Sequence, residues 1–176
     1  EIKIGILGVI DETRRDYSSI IKVLKNTNFD KNYSITFVTL GACYGGNNNE
    51  VIKAIAEYTK IDCIKGIISD KEFDYRGTAC DLLISPLLPM HEYGTFKGSG
   101  SFGDAVYLRK RIILPKFVDM KREFKDIAIY YNDIDDLQKI FNNLNNFLKI
   151  SPSSEFIEKF NTNKVYNNLI KDLKLC

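Results

Sequence analysis

Apolar residues come in short bursts, many of them β-branched, set apart by longer amphipathic stretches. The runs Ile2–Val9, Tyr33–Leu40, Cys63–Ile68, Asp81–Ser85, Arg111–Leu114 and Ile127–Tyr131 are apolar almost without alternation. Alternation marks a strand wet on one side, whereas unbroken runs of this length predict strands covered on both faces, as in a parallel sheet under helices. Helices are predicted between them. Tyr17, Ile20, Ile21 and Leu24 fall on one stripe, and so do Val51, Ile52, Ile55 and Tyr58. Asp70 is expected to cap a short helix through Phe73, and Asp104–Leu108 to form another after a glycine-rich loop. Asp133 is expected to open a long helix reaching Leu148, and a Ser-Pro-Ser-Ser break at Ser151–Ser154 leads to a last one from Glu155 to about Leu173.

Strands alternating with helices on short loops predict a doubly wound, Rossmann-like parallel sheet of about six strands with helices on both faces. Residues 1–150 carry that domain, and residues 151–176 are expected to add a C-terminal helix packed on it. In such sheets ligands bind at the carboxyl ends of the strands, so the loops there become the candidates for chemistry.

Bulk properties narrow the classes. A net charge of +2 with scattered Lys and Arg excludes a nucleic-acid stripe, even with Arg109-Lys110-Arg111 in sequence. Four cysteines without CxxC spacing and one histidine, His91, are too few and too dispersed for a structural zinc site. Three of those cysteines lie in or beside apolar runs, where Cys acts as a small buried hydrophobe, as expected of reduced thiols in a cytoplasmic protein. No apolar run approaches the ~18 residues of a membrane span. The chain opens without Met and enters its first strand at once, which is expected of a domain cut from a longer protein.

Three segments fall at the carboxyl edge. The first strand ends in Gly8, and the loop beyond it leads to Arg14 and Arg15. Two guanidiniums there can pair bidentately with phosphate oxygens. At the start of a helix they oppose its dipole, so their presence calls for a compensating anion. Gly41 to Gly46 follows the second strand and carries three glycines, an ordinary turn on its own terms. The long loop Ser85–Ala105 says most. Gly98-Ser99-Gly100-Ser101-Phe102 runs straight into a helix, offering free amides and two hydroxyls to an anion, with Lys97 adding charge. Asp104, expected in the first helical turn, can accept hydrogen bonds from sugar or ribose hydroxyls. Serine capping explains one Ser and the Asp, but not Lys97 with three glycines in six residues. His91 and Glu92 share the loop, and Lys116 closes the fifth strand.

These segments together resemble the carboxyl-terminal, donor-binding domain of retaining GT-B glycosyltransferases, the large family-four group. The resemblance rests on Gly8 to Lys22, on Cys80-Asp81-Leu82-Leu83-Ile84-Ser85-Pro86, on Gly103-Asp104-Ala105 with Arg111 to Pro115, and on the step from Tyr130 to Leu137. Val9 replaces the family's first Arg. The second acid is Asp and stands further along than in the family's paired-glutamate motif. The resemblance implies a nucleoside-diphosphate-sugar donor as substrate rather than cofactor, held without an obligatory metal. It implies Asp104 on the ribose, Ser99 to Phe102 with Arg14 and Arg15 on the diphosphate, and Glu92 near the donor sugar. The acceptor would bind a separate N-terminal domain as partner. The rival readings are a receiver-like signalling domain, suggested by Asp11-Glu12 after the first strand, and one half of a nucleotide-sugar epimerase.

Overall fold

The apolar bursts become strands because each can bury side chains on both faces at once. The computed structural model describes residues 1–27, 34–89, 93, 99–161 and 163–164. Its strands are β1 (Ile2–Leu7), β2 (Ile35–Leu40), β3 (Lys60–Asp62), β4 (Leu82–Ile84), β5 (Ile112–Pro115) and β6 (Ala128–Tyr131). They form one parallel sheet in the order β3-β2-β1-β4-β5-β6. Around it lie α1 (Tyr17–Asn26), α2 (Glu50–Ala56), α3 (Asp70–Thr78), α4 (Gly100–Leu108), α5 (Ile134–Asn142), α6 (Leu144–Leu148) and α7 (Ser154–Glu158).

Two apolar clusters cover the two faces. Ile2, Ile4 and Ile6 of β1 meet α1, α2, α5 and α6 through residues such as Ile20, Ile55, Phe141 and Leu144. On the other face Leu7, Leu40 and Leu83 pack with Phe102, Ala105 and Leu108 of α4 and Phe156 of α7. This is the doubly wound, Rossmann-like α/β fold. Neighbours run outward from β1 to β3 on one side and from β4 to β6 on the other. The order therefore reverses between β1 and β4, where a crevice opens at the carboxyl ends. Among the described residues no helix is long and apolar enough to cross a membrane.

Several boundaries differ from the sequence expectation, each for a local reason. The third strand is Lys60–Asp62, ahead of the apolar run at Cys63–Ile68. It is an edge strand with exposed ends, so burial does not mark it. The apolar run becomes the following loop, where Gly66 pairs with Cys43 and Ile67 is 77% exposed. Ser69, not Asp70, caps α3, and the helix continues to Thr78. α4 starts at Gly100 under a Ser99 cap, which moves Asp104 out of the first turn. The long helix after Asp133 breaks at Asn143 into α5 and α6. The last helix is described only over Ser154–Glu158, and its expected continuation towards Leu173 lies mostly outside the described residues.

Burial pushes the Cys43 thiol up to about 12 and the Cys80 thiol up to about 11, which fits their role as small core side chains. Arg76 is a buried cation with partners. Its Nε donates to the Thr39 carbonyl (3.2 Å), and its guanidinium reaches the Asp62 carbonyl (2.6 Å) and carboxylate, tying α3 to the ends of β2 and β3.

The β5-to-β6 connection is the tightest constraint in the sheet. Parallel neighbours need about a dozen residues to return to the same end, and residues 116–127 manage it with a 3-10 turn (Lys116–Asp119) in place of an α-helix. Asp119, 6% exposed, accepts from the amides of Glu123 (3.0 Å) and Phe124 (2.9 Å) and from the Tyr130 hydroxyl. Replacing Asp119 with Ala is expected to cost about 2–4 kcal/mol, since each hydrogen bond to a charged group contributes about 1.5–3 and neighbouring bonds are not additive. Urea denaturation measures it, and a loss below about 0.5 kcal/mol, the range of an ordinary surface change, would mean the turn holds without the carboxylate.

Candidate functional site

Gly8 ends β1 with φ +78°, a left-handed conformation that suits glycine. The chain then turns at Asp11, whose carboxylate accepts from the Thr13 amide (2.9 Å) and hydroxyl (2.7 Å). Those bonds, the hydroxyl first, hold the Asp11 carboxyl below the usual range. The Asp11 carbonyl takes the amides of Arg14 (3.3 Å) and Arg15 (3.0 Å). Both arginines thus precede α1 instead of opening it. Asp16 is the cap, accepting from the Ser19 amide (3.0 Å) and from the hydroxyls of Ser18 and Ser19. Its carboxylate supplies the anion that the helix amino terminus favours.

The arginine loop is stitched to the segment after β4. Asp16 donates its amide to the Pro86 carbonyl (2.7 Å), Leu88 donates to the Arg14 carbonyl (3.1 Å), and Arg15 forms an antiparallel bridge with Leu87. Arg15 lies over Gly8 so closely that a Cβ there would overlap its guanidinium. It is 9% exposed, and among the described residues its buried Nε has no hydrogen-bond partner. Arg14 remains exposed and donates to the Tyr93 hydroxyl (2.8 Å).

The amino terminus of α4 faces this loop. Ser99 caps it by accepting from the Ser101 amide (3.3 Å). A cavity of about 240 Å³ forms between the two. Gly8, Arg14 and Arg15 line it from the β1 side, Ser99, Gly100, Ser101 and Asp104 from α4, and Leu87 and Tyr93 from the intervening loop. The structure therefore brings seven of the expected site residues onto one cavity at the point where the strand order reverses. Tyr93 and Leu87 were not legible as site residues. Tyr93 adjoins Glu92 in a loop whose path no periodicity reveals, and Leu87 reads as one more core residue.

Other expectations are corrected. Phe102 is buried in the core and stacks on Phe124 with ring centroids 4.1 Å apart, so its ring belongs to packing and not to substrate binding. The Ser101 hydroxyl is paired with that of Ser85 (2.9 Å), both buried, and so is less free for an anion than expected. Lys116 is exposed and does not line this cavity. Glu92, Lys97, Gly98 and His91 lie outside the described residues. The receiver-like reading conflicts with the sheet, because that fold runs 2-1-3-4-5, whereas here β3 lies outside β2. A larger hollow of about 760 Å³ flanks edge strand β3 among Glu1, Thr36, Lys53 and Lys60, apart from the switch point.

Asp104 stands on the wall of the basic cavity and on that of a neighbour of about 480 Å³. Among the described residues its half-buried carboxylate has neither hydrogen-bond nor ion-pair partner, and burial pushes its pKa up. Among them, too, no three His, Cys, Asp or Glu side chains are grouped to hold a metal ion. A raised folded-state pKa means the carboxyl favours folding while protonated, and that advantage is lost as pH rises through the folded value. Asp104→Asn is therefore expected to raise Tm at pH 7 and to change it little near pH 3. A variant that melts lower than the parent at pH 7 would show that the carboxylate has a stabilising partner.

No family model matches this chain, and no curated protein matches it. Among solved structures it is similar to the Candida albicans trehalose-6-phosphate phosphatase N-terminal domain, at 15% identity and a TM-score of 0.48. The match covers 97% of this chain and 39% of that one, so this chain spans about two-fifths of its length.

Proposed function

We propose that this chain holds a nucleoside-diphosphate sugar as the donor half of a glycosyltransferase, with an acceptor-binding domain as its partner. The supporting observation is Arg15. A guanidinium nine-tenths buried, with an Nε that has no hydrogen-bond partner among the described residues, is costly unless something anionic completes it. It shares its cavity with Arg14 and the amino terminus of α4, both of which favour negative charge. Such a cavity suits phosphate oxygens.

In the proposed reaction the bond between the sugar's anomeric carbon and the diphosphate oxygen breaks. Its electron pair stays on the diphosphate, while the acceptor oxygen bonds to the sugar and passes its proton to the departing diphosphate. Negative charge on the leaving diphosphate is the main obstacle. Arg14, Arg15 and the α4 amides are fixed in advance where that charge grows, which is how an oxyanion site lowers a barrier. Glu92 enters through the family resemblance as the group near the donor sugar. The isolated chain is expected to bind donor and to turn it over poorly, since no acceptor site belongs to this half.

Calorimetric titration with inorganic pyrophosphate tests the anion site. The double variant Arg14→Ala/Arg15→Met, which keeps the buried volume at position 15 filled, is expected to bind about 2–4 kcal/mol more weakly, or about 30- to 1,000-fold. Equal affinity of parent and variant would sink the assignment.

A further inference from the structure

The cavity of about 480 Å³ has no part in holding the diphosphate, yet it adjoins the basic one and shares Asp104 with it. Gly8 belongs to the first and Gly41 to the second, and a Cβ at Gly41 would lie 2.7 Å from the Gly8 Cα. Asp104 lines both. A phosphate in the basic half would therefore leave the rest of its molecule within reach of the other. The second cavity falls within the ~300–1,000 Å³ of small-molecule sites, whereas the first, about 240 Å³, is sized for part of a ligand.

Its walls define what fits. The floor is Leu40 to Ala42 at the end of β2, and Ile67, Ile68 and Phe73 give apolar surface for a flat ring. Asp70 and Asp74 of α3 and Asp104 and Tyr107 of α4 supply the polar groups. The Asp74 carboxylate beside the Tyr107 hydroxyl, chiefly as its hydrogen-bond acceptor, pushes the Tyr107 pKa up, and Arg76 anchors the helix that carries Asp74. Among the described residues no Lys or Arg lines this cavity. The cleft is thus basic at one end and acidic at the other.

Ionised carboxylates only accept hydrogen bonds. The nucleobases differ in what their pairing edges offer. Uracil presents two carbonyl oxygens around a single N–H, so carboxylates beside it repel more than they bind. Adenine and cytosine present one amino group next to an acceptor nitrogen. Guanine alone presents adjacent donors, N1–H and the N2 amino group, which match the two oxygens of one carboxylate.

Resting on the donor-site reading above, we infer that this second cavity is the base subsite and selects guanine, with Asp74 as the discriminating residue and Asp70 supporting it. Arg15, whose Nε lacks a hydrogen-bond partner among the described residues, lines the adjoining cavity and supports a ligand that spans the two. The oppositely charged ends set that ligand's direction, phosphates towards Arg15 and base towards α3.

The test is competitive binding of GDP, ADP, CDP, UDP and inorganic pyrophosphate to the whole chain, to Asp74→Asn and to Tyr107→Phe, with unchanged circular dichroism confirming the fold. A bidentate carboxylate–guanine pair predicts GDP about tenfold or more tighter than UDP. Asp74→Asn is expected to bring GDP close to UDP while leaving pyrophosphate unchanged, and Tyr107→Phe to do so in part. Equal binding of the four nucleotides with pyrophosphate still bound would overturn the base assignment and leave the donor site standing. Displacement of GDP by free hexoses, with no preference among bases, would put the sugar in this cavity and overturn it as well. Absence of pyrophosphate binding would remove both.

Discussion

The backbone stitch between the loop after β1 and the segment after β4 is what the candidate site depends on. Parallel pairing of β1 with β4 fixes the two strand ends side by side, but it does not by itself bring their loops into contact. The bonds from Asp16 to Pro86 and from Leu88 to Arg14 do that. They press Arg15 down onto Gly8 and present it to the start of α4. Gly8 then has to be glycine twice over, once for its positive φ and once for the guanidinium that fills the space of a side chain. A charged group is thereby held largely out of water by main-chain bonds, with the Asp11 carboxylate as a charged neighbour.

Charge is sorted within the cleft by secondary structure. The arginines ride on a loop, where no helix dipole opposes them, because Asp16 has taken the capping position of α1. Carboxylates sit on α3 and α4, and Asp104 has no partner among the described residues. Groups of opposite sign this near one another commonly form ion pairs and close the space between them. Here α3 is held by Arg76 and the arginine loop by Leu88, so both sides keep their distance and a cleft persists. The rigidity comes from bonds behind the cleft, not across it.

Much of the fold was legible because burial on both faces leaves an unmistakable run, as in Ile35–Leu40 and Ile112–Pro115. It was illegible where burial fails: β3, at the edge, carries Lys60 and Asp62, and the apolar run that follows it is an exposed loop. The shared cavity was legible through residue types that helix capping and turning leave unexplained, namely paired arginines and a glycine–serine helix start. Phe102 sat inside that motif yet faces the core, because helical geometry sends successive residues to different sides and the start of α4 was placed too late. The acidic half could not be read at all. Asp70, Asp74 and Tyr107 come from two helices separated by a strand, and only the packing of α3 against α4 puts them on one wall.

The aromatic cluster behind α4 has a mechanical meaning. Phe102, in the first turn of α4, stacks on Phe124, which in turn meets Phe156 and Phe160. The start of α4 is thus braced from behind by one ring from the β5-to-β6 connection and two from beyond the last strand. Chain that does not line the basic cavity therefore helps hold the helix start that does, and shortening the protein ahead of Phe156 would loosen a wall it does not touch.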